Sequence, residues 1–194
     1  SRAITLICPW PPGGSSDAVM RAIGDSLSRA LGGATVLVEN KPGAGGTLGA
    51  SAMVSAKPDG HTLTQLPLGI YRLPHMQKMA FDPVADLTHI VCLTGYTFGI
   101  AATMDAPFKT LKEMVDWARA NPGKLTYGHT GTGTTPHLAF EEFAFKAGFK
   151  TQDVPFKGSA EIMQSILGGH IPVMSGTTEF APHVRAGKLR LLAT

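Results

Sequence analysis

The chain has 194 residues, 43% of them hydrophobic, with 17 Lys and Arg against 14 Asp and Glu, for a formal net charge of +3. Charged residues make up 16%, below the roughly 25% of average usage, which argues against disorder, and no run of Lys or Arg forms the basic stripe that nucleic-acid binding needs. The length allows one large domain or two small lobes with separate cores, and no apolar stretch approaches the ~20 residues of a membrane span, so a soluble globular protein is expected.

In chain order, residues 3–8 read as a buried strand and 16–31 as a helix with Met20, Ile23, Leu27 and Ala30 along one face. A strand at 35–39 and a short helix of small residues at 47–56 follow. The turn Pro58-Asp59-Gly60 then leads into a strand at 61–66, and the proline-rich stretch 67–83 reads as irregular. Apolar runs at 88–94 and 97–103 precede a capping box, Thr110-Leu111-Lys112-Glu113, whose helix ends at Asn121-Pro122-Gly123. A strand at 125–129 enters the glycine-rich loop 130–135, after which Pro136 suits a first helical turn and Gly148 a helix end. A strand at 153–156, a helix at 159–167, a strand at 171–174, a helix near 179–186 and a strand at 189–193 complete the chain.

Strand and helix alternate nearly throughout, which argues for an α/β fold with parallel sheets covered by helices. The helix-free stretch 67–107 is the natural boundary between two lobes, placed at 1–98 and 99–194. Cys8 and Cys92 both lie in short apolar runs that read as strands and are expected to be buried, inert thiols, with a single disulfide as the alternative. The chain opens Ser1-Arg2-Ala3 and enters a strand almost at once, as either a mature exported product or a cytosolic protein would.

Three glycine-rich loops stand just before expected helices, at 9–17, 41–47 and 130–135. A helix start has amide protons without intrahelical partners and the positive end of the macrodipole, so such a loop receives carboxylate or phosphate without a charged side chain. The alternative is that glycine makes tight turns and Ser or Thr only caps. Asp17 serves either the helix dipole or an ammonium or hydroxyl group of a ligand, and Lys157 is either solvated or a cation at the rim of a cleft. Trp10 either walls a pocket or packs in the core. No P-loop, G-x-S-x-G or H-E-x-x-H pattern occurs, and Gly131-Thr132-Gly133-Thr134-Thr135-Pro136 lacks the third glycine of a dinucleotide motif. The seven His residues show no metal-ligand spacing on one helix, so no metal is expected, with His137 kept as a ligand donor or a solvent-facing residue.

The segments ITLICPWPPGGSSD, VLVENKPGAGGTLGA, KPDGHTL, FDPVADLTHI, NPGKLTYGHTGTGTTPHL, VPFKGSAEIMQSILGGHI and APHVRAGKLRLLAT resemble, in order, the motifs of the Bug-type extracytoplasmic receptors of tripartite tricarboxylate transporters. The resemblance implies a two-lobe Venus-flytrap fold of the periplasmic-binding-protein kind. It also implies a small organic carboxylate held between lobes in the periplasm, delivery to the membrane permease subunits, a monomer, no cofactor and no catalysis. Carried over by position, the ligand-facing residues are Trp10, Pro11, Gly14, Ser15, Ser16 and Asp17 in the first loop, and His129, Thr130, Gly131, Gly133, Thr134, Thr135 and His137 in the third. Lys157, Gly158, Gly176 and Thr177 complete the set. Two departures stand out: Ser175-Gly176 falls where many family members carry aspartate, and the family continues past Thr194 into a segment that returns to the first lobe. The competing class is an enzyme acting on a phosphorylated or acyl substrate through the same loops.

Overall fold

A computed structural model describes residues 2–194. The chain divides into two compact units, the first ending at Cys92 and the second running from Leu93 to Thr194.

The first unit contains strands β1 (Ile4–Cys8), β2 (Val36–Asn40) and β3 (Thr62–Thr64), and helices α1 (Ser15–Ala30) and α2 (Thr47–Val54). The sheet order is β2-β1-β3, all parallel, with Ile4 opposite Val36 and Thr5 opposite Thr62. Because each parallel connection must cross over one face, helices cover the sheet. Helix α1 buries Asp17, Met20 and Gly24, spaced three and four apart on one face. Met20 joins Leu6 and Cys8 in a core flanked by Trp10, Ile23, Val36, Val38 and Leu63. Gly24 allows α1 to lie close on β2, since a Cβ there would sit 3.3 Å from a Val38 methyl.

The second unit holds β4 (Gly99–Thr103), α3 (Leu111–Ala120), β5 (Leu125–His129), α4 (Thr135–Ala147), β6 (Thr151–Pro155), α5 (Ser159–Leu167), β7 (Val173–Gly176), α6 (Ala181–Arg185) and β8 (Leu189–Ala193). Its sheet runs β6-β5-β7-β4-β8. Strand β5 is parallel to β6 and β7, whereas β4 is antiparallel to β7 and β8. Strand alternation splits the core into two clusters. Ala102, Tyr127 and Val173 pack with Met114, Ala118, Phe140 and Ala144 from α3 and α4. Ala101 and Met174 pack with Ile162 and Ile166 from α5. The chain is thus mixed α/β, with parallel-rich sheets flanked by helices.

The capping box forms, with Thr110 Oγ1 accepting the Glu113 N–H at 3.2 Å. The Glu113 carboxylate reaches one residue further back than expected and accepts from the Lys109 N–H at 2.6 Å. The apolar run at 88–94 is not a strand: residues 88–98 have no regular secondary structure, and Ile90 and Val91 are 74% and 70% exposed. Strand β4 already has a neighbour on each side, and no described strand pairs with 88–98, so nothing imposes alternating burial there. Cys92 is accordingly exposed rather than buried, Cys8 is buried, and no disulfide joins them. The expected helix near 179–186 begins as a 3-10 turn at Thr178–Phe180 and turns α-helical only from Ala181. No described helix is long and apolar enough to cross a membrane.

Candidate functional site

In the first unit the loop between β1 and α1 is tied down by Asp17. Its carboxylate accepts from the Gly13 N–H at 3.0 Å and from Arg21 Nε at 3.0 Å through Oδ2, and from Asn40 Nδ2 at 2.8 Å through Oδ1. Asn40 Nδ2 also donates to the Trp10 carbonyl at 2.9 Å, and Arg21 donates to Asn40 Oδ1 at 3.1 Å. Burial pushes the Asp17 carboxyl up, but the bonds from Arg21, Asn40 and Gly13 outweigh it and hold the group below its ordinary range. Both oxygens are thus engaged within the protein, and the carboxylate shapes the loop. Asp17→Ala is expected to cost about 1–3 kcal/mol, because it strands the Gly13, Arg21 and Asn40 donors. Urea denaturation of the two proteins measures it, and equal midpoints would count against the bracing role. Trp10 packs against the Leu6–Met20 core, while Pro11, Ser15 and Ser16 are half-buried and Gly14, at the helix start, is buried.

In the second unit the loop between β5 and α4 is assembled over a histidine pair. Alternation places Leu125, Tyr127 and His129 on the same face of β5, and all three have no exposed surface. Helix α4 presents His137, Phe140, Glu141 and Ala144 at successive three- and four-residue spacings. Phe140 stacks on Tyr127 with ring centroids 3.9 Å apart, and His137 lies 4.4 Å from His129. Strand β6 places Asp153 beside Tyr127 in register. The His129 Nε2 is 3.1 Å from Asp153 Oδ2, and the His137 Nε2 is 3.9 Å from the same oxygen. Burial, with His137 alongside, pulls the His129 imidazolium below its ordinary range despite the opposing pull of Asp153. The hydrogen bond with His129 in turn holds the Asp153 carboxyl low.

The other face of each ring holds the loop. The Gly131 N–H donates to His129 Nδ1 at 3.2 Å, and the Gly133 N–H donates to His137 Nδ1 at 3.2 Å. Thr134 Oγ1 donates to the Gly131 carbonyl at 2.6 Å, and Ser175 Oγ to the Pro136 carbonyl at 2.9 Å. The Gly131 and Gly133 amides, read from sequence as donors for a ligand, are in this structure engaged by the imidazoles beneath the loop. His129 is wholly buried under the loop rather than presented from it.

His129, His137 and Asp153 place three ligand-type atoms within 4.8 Å of one another, a grouping that spacing along a helix could not show. The proton positions oppose a cation there. A peptide N–H donating into Nδ1 puts the ring proton on Nε2, and coordination through Nε2 would move that proton to Nδ1, against a second donor.

The remaining candidates of the second unit lie at the carboxyl ends of the two strands that flank β5, where β6 runs into Lys157 and Gly158 and β7 into Gly176 and Thr177. Lys157 is exposed, its N–H donates to the Glu161 carboxylate at 3.1 Å, and Gly158 is the buried residue that opens α5. Gly176 ends β7, where a Cβ would meet the Met174 methyl at 2.6 Å, and the Thr177 N–H and hydroxyl both donate to Glu179. Thr130 Oγ1 lies 3.4 Å from Thr134 Oγ1, and Thr135 is half-buried in the first turn of α4. Sequence reasoning missed Asp153, Arg21 and Asn40. Arg21 stands four residues after Asp17 on one helix and was legible; Asp153 and Asn40 depend on strand register.

Glycine-rich loops follow the carboxyl ends of parallel strands in each of the two α/β units, an arrangement many α/β proteins share, and comparison with known proteins gives the class, that of the periplasmic binding proteins. Residues 19–194 match the family described as the tripartite tricarboxylate transporter family receptor. A curated relative, the UPF0065 protein in the gbd 5'region of Cupriavidus necator, is 49% identical over 193 residues, covering 100% of this chain and 59% of its own length. The structure of the periplasmic binding protein BugD aligns with a TM-score of 0.86 and 27% identity, over 99% of this chain and 64% of that one. MatC from Rhodopseudomonas palustris, solved with bound malate, aligns with a TM-score of 0.88 and 29% identity, over 98% of this chain and 65% of that one. The chain belongs to the tripartite tricarboxylate transporter receptor family and is of the Bug type. It spans about 59% of the length of the Cupriavidus relative.

Proposed function

We propose that this chain binds a small organic carboxylate in the periplasm and delivers it, chemically unchanged, to the membrane permease subunits of a tripartite tricarboxylate transporter. The observation that carries this reading is the loop 130–135, braced from below and seated at the start of the 13-residue helix α4. The positive end of that helix and the threonine hydroxyls around it favour an anion. The end of a parallel strand is where such folds place ligands. Malate in MatC supports the substrate class. A monomer acting without cofactor or metal, and closing two lobes on its ligand, follows from the same family reading.

Titration calorimetry with malate and a panel of di- and tricarboxylates tests it, with recovery of the ligand for mass analysis. One-to-one binding and an unaltered ligand are expected, with contraction in small-angle scattering at saturation. Conversion of the ligand would favour the enzyme alternative, and no heat from any member of the panel would overturn the carboxylate reading.

A further inference from the structure

We propose that His129 and His137 are positioning residues for the glycine-rich loop: their neutral rings, protonated on Nε2 and turned toward Asp153, accept the loop's own amides, and acidification releases the loop. The consequence for ligand binding rests on the carboxylate reading above; the loop mechanism does not. The two contacts are equivalent in kind. Gly131 donates to His129 and Gly133 to His137, each at 3.2 Å to Nδ1, and both Nε2 atoms face one oxygen of Asp153. A neutral imidazole has one donor and one acceptor, and each of these rings uses its acceptor on the loop and turns its donor to the carboxylate.

Protonation puts a hydrogen on Nδ1, so that two N–H groups point at each other where a hydrogen bond had been. The loop must then move away from the ring. The groups facing the pair are few: Tyr127 from β5, Glu141 from α4 and Asp153 from β6. Burial, helped by Glu141, keeps the Tyr127 phenol protonated, and Tyr127 donates to Glu141 at 2.8 Å, which also accepts from Thr151 at 2.8 Å. Glu141 is thereby turned to its own partners. Among the described residues Asp153 is the acidic group at the pair, hydrogen-bonded to His129 and 3.9 Å from His137; its side chain is 44% exposed, whereas that of His129 is wholly buried. Water therefore screens the carboxylate's attraction for an imidazolium, while His129 bears the full cost of charging without water.

The sign follows. His129 titrates lower in the fold than in the open chain, so below its ordinary range, ~6.5, the unfolded or loop-open state binds the extra proton more readily. The closed loop is fully favoured above that value. Its advantage falls as pH drops toward the lowered value and is then exhausted.

Nitrogen NMR of the imidazoles and amide exchange on the whole 194-residue chain, without ligand, provide the test. Above pH 7 both rings should be the Nε2–H tautomer and the Gly131 and Gly133 amides protected. Through the histidine titration both amides should lose at least tenfold in protection while Ala144, inside α4, keeps its own. Nδ1–H tautomers, or loop protection indifferent to the titration, would overturn the proposal. His137→Asn retains an acceptor at the δ position, and His137→Phe retains a ring without one. The Asn variant should keep Gly133 protected without its pH dependence, and the Phe variant should lose protection and bind malate about tenfold more weakly. Equal behaviour of the two variants would make His137 merely a space-filler. Should the Phe variant fail to fold, the Asn variant and the wild-type titration still decide. Should wild type show the loop transition but bind no malate, the substrate reading fails and the loop mechanism stands.

Discussion

Gly133→Val is expected to abolish carboxylate binding, by a hundredfold or more, while the circular dichroism stays near native. Gly133 is buried with φ +79°, a backbone region that excludes β-branched side chains. Valine must therefore pull the residue toward negative φ, which rotates the Gly133 N–H away from His137 and drags the turn that Thr134 closes on the Gly131 carbonyl. The distortion is confined to the loop, because β5 ends at His129 and α4 starts at Thr135. Lys157→Ala is the contrast. That side chain is exposed, and exposed ion pairs are worth only about 0–1 kcal/mol, less than roughly tenfold in affinity. Calorimetry with malate, or with whichever carboxylate of the panel binds, compares them. Normal binding by Gly133→Val, or complete loss in Lys157→Ala, would mean that the anion is held by side-chain charge and not by the loop.

The elements of the second unit were legible because local signals and tertiary packing agree there. The strand at 125–129 and the helix at 159–167 fall where apolar runs, proline and glycine placed them. Residues 88–98 were not legible: an apolar run predicts a strand only when another strand is available to pair with it, and pairing is absent from local sequence. The site divides the same way. Glycines and threonines marked the loop 130–135, since those residue types are needed for its backbone. What lies beneath it was hidden, because Asp153 reaches His129 only through the β5–β6 register, and His137 reaches it through the helical repeat of α4. Each histidine read alone is an isolated polar residue. Only their convergence shows that the Gly131 and Gly133 amides are engaged by the rings beneath them.

Phe140→Ala is expected to destabilise the second unit by about 3–5 kcal/mol, the range for truncating a buried aromatic. Phe140 is 1% exposed and stacks on Tyr127 at 3.9 Å, with Phe143 edge-on at 6.2 Å. Removing it opens a cavity between β5 and α4. The Tyr127 ring can relax into that space only by breaking its hydroxyl bond to Glu141, so collapse is resisted and the cost lies toward the upper end. The same helix supplies its own control: Phe145 is 86% exposed, and Phe145→Ala should shift stability by no more than about 0.5 kcal/mol. Urea denaturation followed by Trp117 fluorescence in a Trp10→Phe background reports on this unit, since Trp117 lies on α3 within the same core and Trp10 in that of the first unit. Because the layer that holds Phe140 also carries His129 and His137, the Phe140→Ala protein should lose protection at Gly131 and Gly133 before it unfolds. A loss below about 1 kcal/mol, or loop amides unchanged up to the unfolding transition, would show that the aromatic layer and the loop are supported independently.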